Sequence, residues 1–145
     1  MADDSKPAVD LTRLIPAPQA AVFRAWTDPA ELCRWRGPPG FACPSAEIDL
    51  RVGGRCRIAM QPPDGEVFYL GGTFKPIEPP RRLVYSWRRE GAAESTETLV
   101  TVEFRARGQA TEIVLNHSLF ADAAVRDRHD GGWKGCLDRL AGLFA

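Results

Sequence analysis

The sequence lacks both a strong net charge and a long apolar segment. Its 19 basic and 19 acidic side chains balance, so no overall field draws the protein to nucleic acid or to an anionic membrane. No apolar run approaches the ~20 residues that cross a bilayer, and the N-terminal segment is polar and acidic, unlike a signal peptide. We therefore expect a cytoplasmic protein that binds neither nucleic acid nor a membrane.

Motifs for metal binding and for common catalytic chemistries are also missing. The four cysteines, Cys33, Cys43, Cys56 and Cys136, form no C-x-x-C pair and no zinc-ligand spacing, which is typical of small core residues in a reducing compartment. The chain has no G-x-S-x-G, no H-E-x-x-H, no phosphate loop and no dinucleotide fingerprint. We expect no cofactor and no metal ion, so any catalysis would depend on a histidine.

The length of 145 residues suits one domain with its own hydrophobic core. We assign residues 1–8 to a flexible N-terminal tail and residues 9–145 to that single domain. The pattern predicts a first strand from Val9 to Ile15 and a helix over residues 17–26. The Asp28-Pro29 pair predicts the start of a second short helix, which we place at residues 30–35.

Alternating apolar and polar residues fill most of the next eighty positions and predict six further strands. The connections between them are short turns, such as Pro62-Pro63-Asp64-Gly65, so neighbouring strands must be antiparallel. A long helix follows over residues 121–145. The fold class that we predict is α+β: a curved antiparallel sheet of about seven strands wrapped around a long C-terminal helix, with two short helices between strands 1 and 2.

The predicted inner face of the last helix contains an unusual glycine pair, Gly131-Gly132. The face repeats at three- and four-residue steps through His129, Gly132, Trp133, Cys136, Leu140 and Phe144. Glycine in a helix interior costs roughly 1 kcal/mol relative to alanine. We infer that something large approaches the helix there, either the sheet packed closely or a ligand.

Alternation also predicts which side chains point inward from the sheet. They are Cys56, Ile58 and Met60; Phe68, Leu70, Gly72 and Phe74; Leu83, Tyr85 and Trp87; Val100, Val102 and Phe104; and Thr111, Ile113, Leu115 and His117.

The order of short motifs along the chain closely resembles the Aha1-type (activator of Hsp90 ATPase homologue) branch of the START-like superfamily, also called SRPBCC or helix-grip proteins. The motifs include Leu14 to Pro18, Val22 to Pro29, Asp49 to Gly54, Gly72 to Phe74, Leu99 to Val102, Thr111 to His117 and His129 to Trp133. The resemblance implies the helix-grip (Bet v 1-like) fold. One departure is Arg36, which stands where the family often has a second aromatic residue after Trp35.

The resemblance further implies a cavity between the sheet and the last helix, which superfamily members use to hold apolar small molecules. The lining that we predict is Trp35, Met60, Phe68, Phe74, Tyr85, Trp87, Val102, Leu115, His117, His129, Gly132, Trp133 and Cys136. His117 and His129 are the candidate polar anchors. Each residue also has a structural interpretation, since a buried Trp usually packs and a buried His is usually hydrogen-bonded within the fold.

Three functions remain open. The first is a carrier or sensor for a small hydrophobic or aromatic compound, with a stress-related role as one option. The second is a protein linked to an Hsp90-type chaperone, although the named co-chaperones carry an additional N-terminal domain for which this chain has no room. The third is an enzyme that acts on a bound polyketide-like or lipid-like compound through His117 or His129. The partner that we predict is a small apolar ligand, and the protein could be a monomer or a homodimer.

Overall fold

The structure is a computed structural model and describes residues 7–37, 40–91 and 96–145. The predicted flexible tail, residues 1–8, lies outside the described residues except for Pro7 and Ala8. The backbone carbonyl of Ala8 accepts a hydrogen bond from Arg126 Nη1 at 3.1 Å, so the chain is held by the last helix just before the first strand begins.

The described chain forms seven strands and three helices in the predicted order. They are β1 (Val9–Ile15), α1 (Gln19–Thr27), α2 (Pro29–Leu32), β2 (Ala46–Ile48), β3 (Arg55–Met60), β4 (Phe68–Glu78), β5 (Arg82–Arg89), β6 (Thr98–Arg107), β7 (Ala110–Ser118) and α3 (Ala123–Leu143). Among the described residues, no helix has the length and apolarity needed to cross a membrane.

The strands form a single antiparallel sheet in the order β1-β7-β6-β5-β4-β3-β2. Strands β2 to β7 follow one another as a meander, and β1 adds to the β7 edge with Val9 opposite His117 and Ile15 opposite Thr111. This topology confirms the predicted α+β fold, because short turns leave each strand beside the next.

The short helices begin where local chemistry favours it. Asp28 caps α2, since its carboxylate accepts hydrogen bonds from the amides of Ala30 at 2.9 Å and Glu31 at 3.2 Å, and Pro29 occupies the first helical turn. Several predicted helix boundaries were wrong. Helix α1 begins at Gln19 rather than residue 17, and α2 ends at Leu32 and continues only as turns toward Trp35. Helix α3 covers Ala123–Leu143 rather than residues 121–145.

The predicted inward residues of β3, β5, β6 and β7 are all buried. Helix α3 packs across this face, where Trp133 stacks on Trp26 with ring centroids 5.9 Å apart, and Trp26 meets Trp35 edge-on at 4.7 Å. These contacts join the first helices, the last helix and the sheet in one core.

Strand β4 is less regular than alternation predicts. Its pairing with β5 shifts register between Phe74 and Ile77. Just before that point, a Cβ added to Gly72 would lie 2.0 Å from the Ser86 carbonyl oxygen, and one added to Gly71 would lie 2.1 Å from the Cys56 carbonyl oxygen. Only glycine fits at such a close backbone approach, which lets the sheet coil around α3.

Candidate ligand-binding site

A cavity of about 570 Å³ opens between the first half of α3 and the sheet. Helix α3 supplies one wall through Val125, His129, Gly132, Trp133 and Cys136, and the sheet supplies Met60, Phe68, Leu70, Trp87 and Thr98. Arg36, Gly37 and Phe41 close one side, and Phe120 and Ala121 close another. The wall is therefore largely apolar and aromatic, with a few polar groups.

The structure divides the predicted lining into two groups. Seven residues lie on the cavity wall: Met60, Phe68, Trp87, His129, Gly132, Trp133 and Cys136. Six lie in the core and not on that wall: Trp35, Phe74, Tyr85, Val102, Leu115 and His117. The second group is buried in the core beside the cavity; His117, for example, contacts the wall residues Phe120 and His129 with ring centroids 4.4 and 5.3 Å away.

The two glycines of α3 have different surroundings. Gly132 lines the cavity, and a Cβ added there would meet no heavy atom within 4 Å. Gly131 is exposed and likewise has open space beside it. Close packing of the sheet against this pair, one of the two expectations from the sequence, is therefore wrong, because neither glycine is approached by the sheet.

His117 forms a continuous hydrogen-bonded chain. The indole N–H of Trp133 donates to His117 Nδ1 at 3.0 Å, so the proton of a neutral ring sits on Nε2, which donates to Thr98 Oγ1 at 2.7 Å. The Thr98 hydroxyl then donates to the Trp87 carbonyl at 2.9 Å. Burial, helped by nearby His129 and Arg36, lowers the pKa of His117 to about 3. His117 thus holds Trp133 in place as a neutral ring with both nitrogens occupied.

His129 differs because one of its nitrogens is available. Nδ1 donates to the Val125 carbonyl at 3.0 Å, one turn earlier in α3. Within the described ranges, Nε2 has no hydrogen-bond partner, and the residue lies on the cavity wall. Burial lowers the pKa of His129 below its ordinary value, so its free nitrogen is an acceptor near neutral pH.

Arg36 was not among the predicted site residues, yet it is the most unusual group on the wall. It is only 5% exposed. Its guanidinium carbon lies 4.4 Å from the ring centroid of Trp133 and 4.9 Å from that of Trp87. Nη1 contacts Cys136 Sγ at 3.9 Å, while Nε is buried with no hydrogen-bond partner among the described residues.

Helix α3 holds the segment that carries Arg36. The Arg139 guanidinium donates to three backbone carbonyls, those of Arg34, Arg36 and Gly37, each at 3.2 Å. The Gly37 amide donates to Cys136 Sγ at 3.2 Å. These bonds occupy carbonyls that follow the end of α2 and fix the position of Arg36.

The charged groups that the described residues contribute to the cavity wall are all basic. Arg36, Arg88, Arg89 and Arg128 line it, and no described lining residue is Asp or Glu. Arg89 also lies over the Phe68 ring at 4.1 Å. Among the described residues, no group of three or more His, Cys, Asp or Glu side chains could hold a metal ion.

Several wall residues were missed by sequence reasoning. Val125 was detectable, since it precedes His129 by one helical turn on the same face. Arg36 gave no such signal because arginine is almost never fully buried unless paired. Its one signal was the family resemblance, in which an aromatic residue usually occupies this position.

The sequence matches the family described as "Activator of Hsp90 ATPase homolog 1-like protein" over residues 16–145. A comparison with curated proteins gives no match. Among solved structures, a protein from Chromobacterium violaceum is 27% identical, with 95% of this chain and 97% of that chain covered and a TM-score of 0.84. The AHSA1 protein from Silicibacter pomeroyi is 24% identical, with 94% of this chain and 96% of that chain covered and a TM-score of 0.83. DynU16, a protein in the dynemicin biosynthetic locus, is 23% identical, covering 97% of this chain and 46% of its own, with a TM-score of 0.75.

A curved antiparallel sheet that holds a long C-terminal helix over a cavity defines a helix-grip protein, a fold type associated with ligand binding. Because the family match extends over residues 16–145, the chain belongs to the Activator of Hsp90 ATPase homolog 1-like family.

Proposed function

We propose that this protein is a carrier or sensor that binds a small, largely apolar and aromatic ligand in the cavity beneath α3. The observation that carries the proposal is the cavity itself. Its volume of about 570 Å³ falls within the 300–1,000 Å³ typical of small-molecule sites. Its walls are mostly aromatic and aliphatic, and the missing side chain at Gly132 leaves the space open.

The most direct test is native mass spectrometry of freshly purified protein, followed by a thermal-shift screen of aromatic and lipid-like compounds. A ligand that binds only the folded state raises the stability by about 2.7 kcal/mol at one hundred times its Kd. We expect a co-purifying compound or a set of related compounds that raises the Tm. A complete screen with neither result would contradict the proposal.

An enzymatic alternative is favoured by one observation, the free Nε2 of His129 on the cavity wall. That nitrogen could accept a proton from a bound compound, whereas both nitrogens of His117 are engaged. The test is turnover of any bound compound by the wild type and by His129→Ala. Conversion that His129→Ala abolishes while binding persists would establish the enzyme.

The family match is the observation that favours a chaperone-linked function. The test is an ATPase assay of the cognate Hsp90 with and without this protein. A stimulatory, stoichiometric complex would replace the carrier proposal, and an unchanged ATPase rate would leave the chaperone link without support.

A further inference from the structure

Arg36 is a buried positive charge that has no negative partner among the described residues. The residue is only 5% exposed, and none of the ion pairs among the described residues involves it. Buried arginines in proteins are ordinarily paired with a carboxylate or fully hydrogen-bonded. Arg36 has neither arrangement.

The contacts that Arg36 makes are weaker than an ion pair or a full set of hydrogen bonds. The faces of Trp87 and Trp133 attract the guanidinium, and Cys136 Sγ provides one long hydrogen bond of 3.9 Å. In the described part of the chain, the buried Nε has no hydrogen-bond partner. The free energy needed to remove the guanidinium from water exceeds the stabilisation that the ring contacts and one sulfur acceptor provide. The described residues therefore leave the guanidinium short of hydrogen-bond acceptors.

The surroundings of Arg36 are also positive. Arg88, Arg89 and Arg128 line the same cavity, and no described carboxylate does. Such a wall raises the local concentration of anions at the opening. A neutral apolar ligand would leave the buried Arg36 guanidinium without a counter-ion, whereas an anion would supply one.

We propose that the ligand is an apolar anion, with an aromatic or aliphatic body against Trp87, Trp133 and Gly132 and a single carboxylate paired with the Arg36 guanidinium. This inference rests on the proposed ligand-binding function and names the chemical class of the ligand. A planar carboxylate matches the fork of guanidinium N–H donors. Arg139 is a positioning residue, because it holds the backbone from which Arg36 projects.

The experiment compares two fluorescent dyes that share one ring system. Anilinonaphthalene sulfonate carries an anionic group, and N-phenylnaphthylamine lacks it. Each dye is titrated into the wild type, Arg36→Met and the control Arg24→Met, in which an exposed arginine of α1 outside the cavity is replaced. Methionine keeps the length and apolar stem of Arg36 but removes its charge.

For the wild type, we expect the sulfonate dye to bind about tenfold more tightly than the neutral dye, as a charge-assisted hydrogen bond implies. Arg36→Met should lose that advantage while its affinity for the neutral dye stays within about twofold. Arg24→Met should behave as the wild type. Displacement of the sulfonate dye by naphthalene carboxylate, but not by the neutral isostere acetylnaphthalene, would extend the result to carboxylates.

The outcomes separate the two proposals. Binding of the neutral dye with equal or better affinity than the sulfonate dye, unchanged in Arg36→Met, would overturn the anion inference and leave the apolar cavity standing. Failure of both dyes to bind any variant would overturn the cavity proposal and this inference together.

The stability of the unliganded protein gives a second measurement. If Arg36 were a structural spacer between the two indoles, Arg36→Met would lower the Tm. If Arg36 serves to bind an anionic ligand, replacing its buried charge with an apolar side chain should raise the Tm of the unliganded protein. A lower Tm of Arg36→Met, together with unchanged dye selectivity, would assign Arg36 to the structure rather than to the ligand.

Discussion

Gly131 and Gly132 are neighbours on α3, yet only Gly132 lines the cavity. Each has open space where a Cβ would lie, in solvent for Gly131 and in the cavity for Gly132. The pair therefore provides a matched test of whether the space beneath the helix is occupied by a ligand.

We expect Gly132→Leu to lower the affinity for an apolar ligand at least about tenfold, since the new side chain would occupy the cavity. Gly131→Leu should leave binding unchanged. Both substitutions should stabilise the helix by about 0.5–1 kcal/mol because leucine is a better helix former than glycine. Dye titration and urea unfolding measure the two effects. Equal loss of binding in both variants would show that the ligand lies elsewhere.

At the residue scale, the sequence predicted Gly132, Trp133 and His129 because helical periodicity places them on one face of α3. The sequence could not distinguish residues of the cavity wall from residues of the filled core. Alternation shows that Tyr85 points inward, but not that Trp26 of α1 packs against it. Arg36 escaped prediction for a different reason. Burial of an unpaired charge contradicts the general rule on which sequence reasoning depends.

At the scale of elements, the connection between β7 and α3 contains a strained residue. Leu119 has a φ of 72°, the only described non-glycine residue with a positive φ, and its side chain is half exposed. Leucine in this left-handed conformation costs roughly 1–2 kcal/mol, whereas glycine adopts it freely.

We expect Leu119→Gly to raise the free energy of unfolding by up to about 1 kcal/mol, because relief of strain exceeds the greater entropy of glycine in the unfolded chain. Leu14→Gly, which replaces another exposed leucine within β1, should instead lower it by about 1 kcal/mol. Urea unfolding of the two variants checks both signs. A loss of stability in Leu119→Gly as large as that in Leu14→Gly would contradict the strain.

The bonds from Arg139 to the segment after α2 join two elements that are distant in sequence. We expect Arg139→Met to lower the free energy of unfolding by about 1–3 kcal/mol, since three carbonyls lose a charged donor. Hydrogen exchange at the Gly37 amide should accelerate because its segment loosens. Lys134→Met, on the exposed side of α3, should change stability by less than about 0.5 kcal/mol. Unchanged exchange at Gly37 would show that Cys136 alone holds the segment.

The element order and the inward faces of β3, β5, β6 and β7 were predictable because alternation and short turns leave few topologies. The irregularity of β4 was not, since Gly72 was interpreted only as an inward strand position. The role of Gly71 and Gly72 appears only when β3 and β5 approach them from either side.

At the scale of the whole molecule, acid should destabilise the fold through its histidines. The pKa of His117 falls from its ordinary 6.5 to about 3 on folding, so the unfolded chain binds a proton at a higher pH than the folded chain. The stability that His117 contributes is therefore present above pH 6.5 and is lost progressively as pH falls toward 3. The lowered pKa of His129 acts in the same direction.

Between pH 7 and pH 5, we expect the free energy of unfolding to fall by about 2 kcal/mol through His117 alone. His117→Gln should be less stable at pH 7, because the bond from Trp133 is disturbed, but its stability should depend less on pH over this range. Urea titrations at a series of pH values measure both slopes. Parallel pH profiles for the wild type and His117→Gln would contradict the assignment.

All four tryptophans of the chain meet around the cavity end of the core. Trp26 touches both Trp35 and Trp133, and the Arg36 guanidinium lies between Trp133 and Trp87. Rigidly packed indoles give near-ultraviolet circular dichroism only while their packing is fixed. Movement of the Arg36 guanidinium should therefore change the near-ultraviolet circular dichroism of both Trp87 and Trp133, so the protein needs no added label to report such a change.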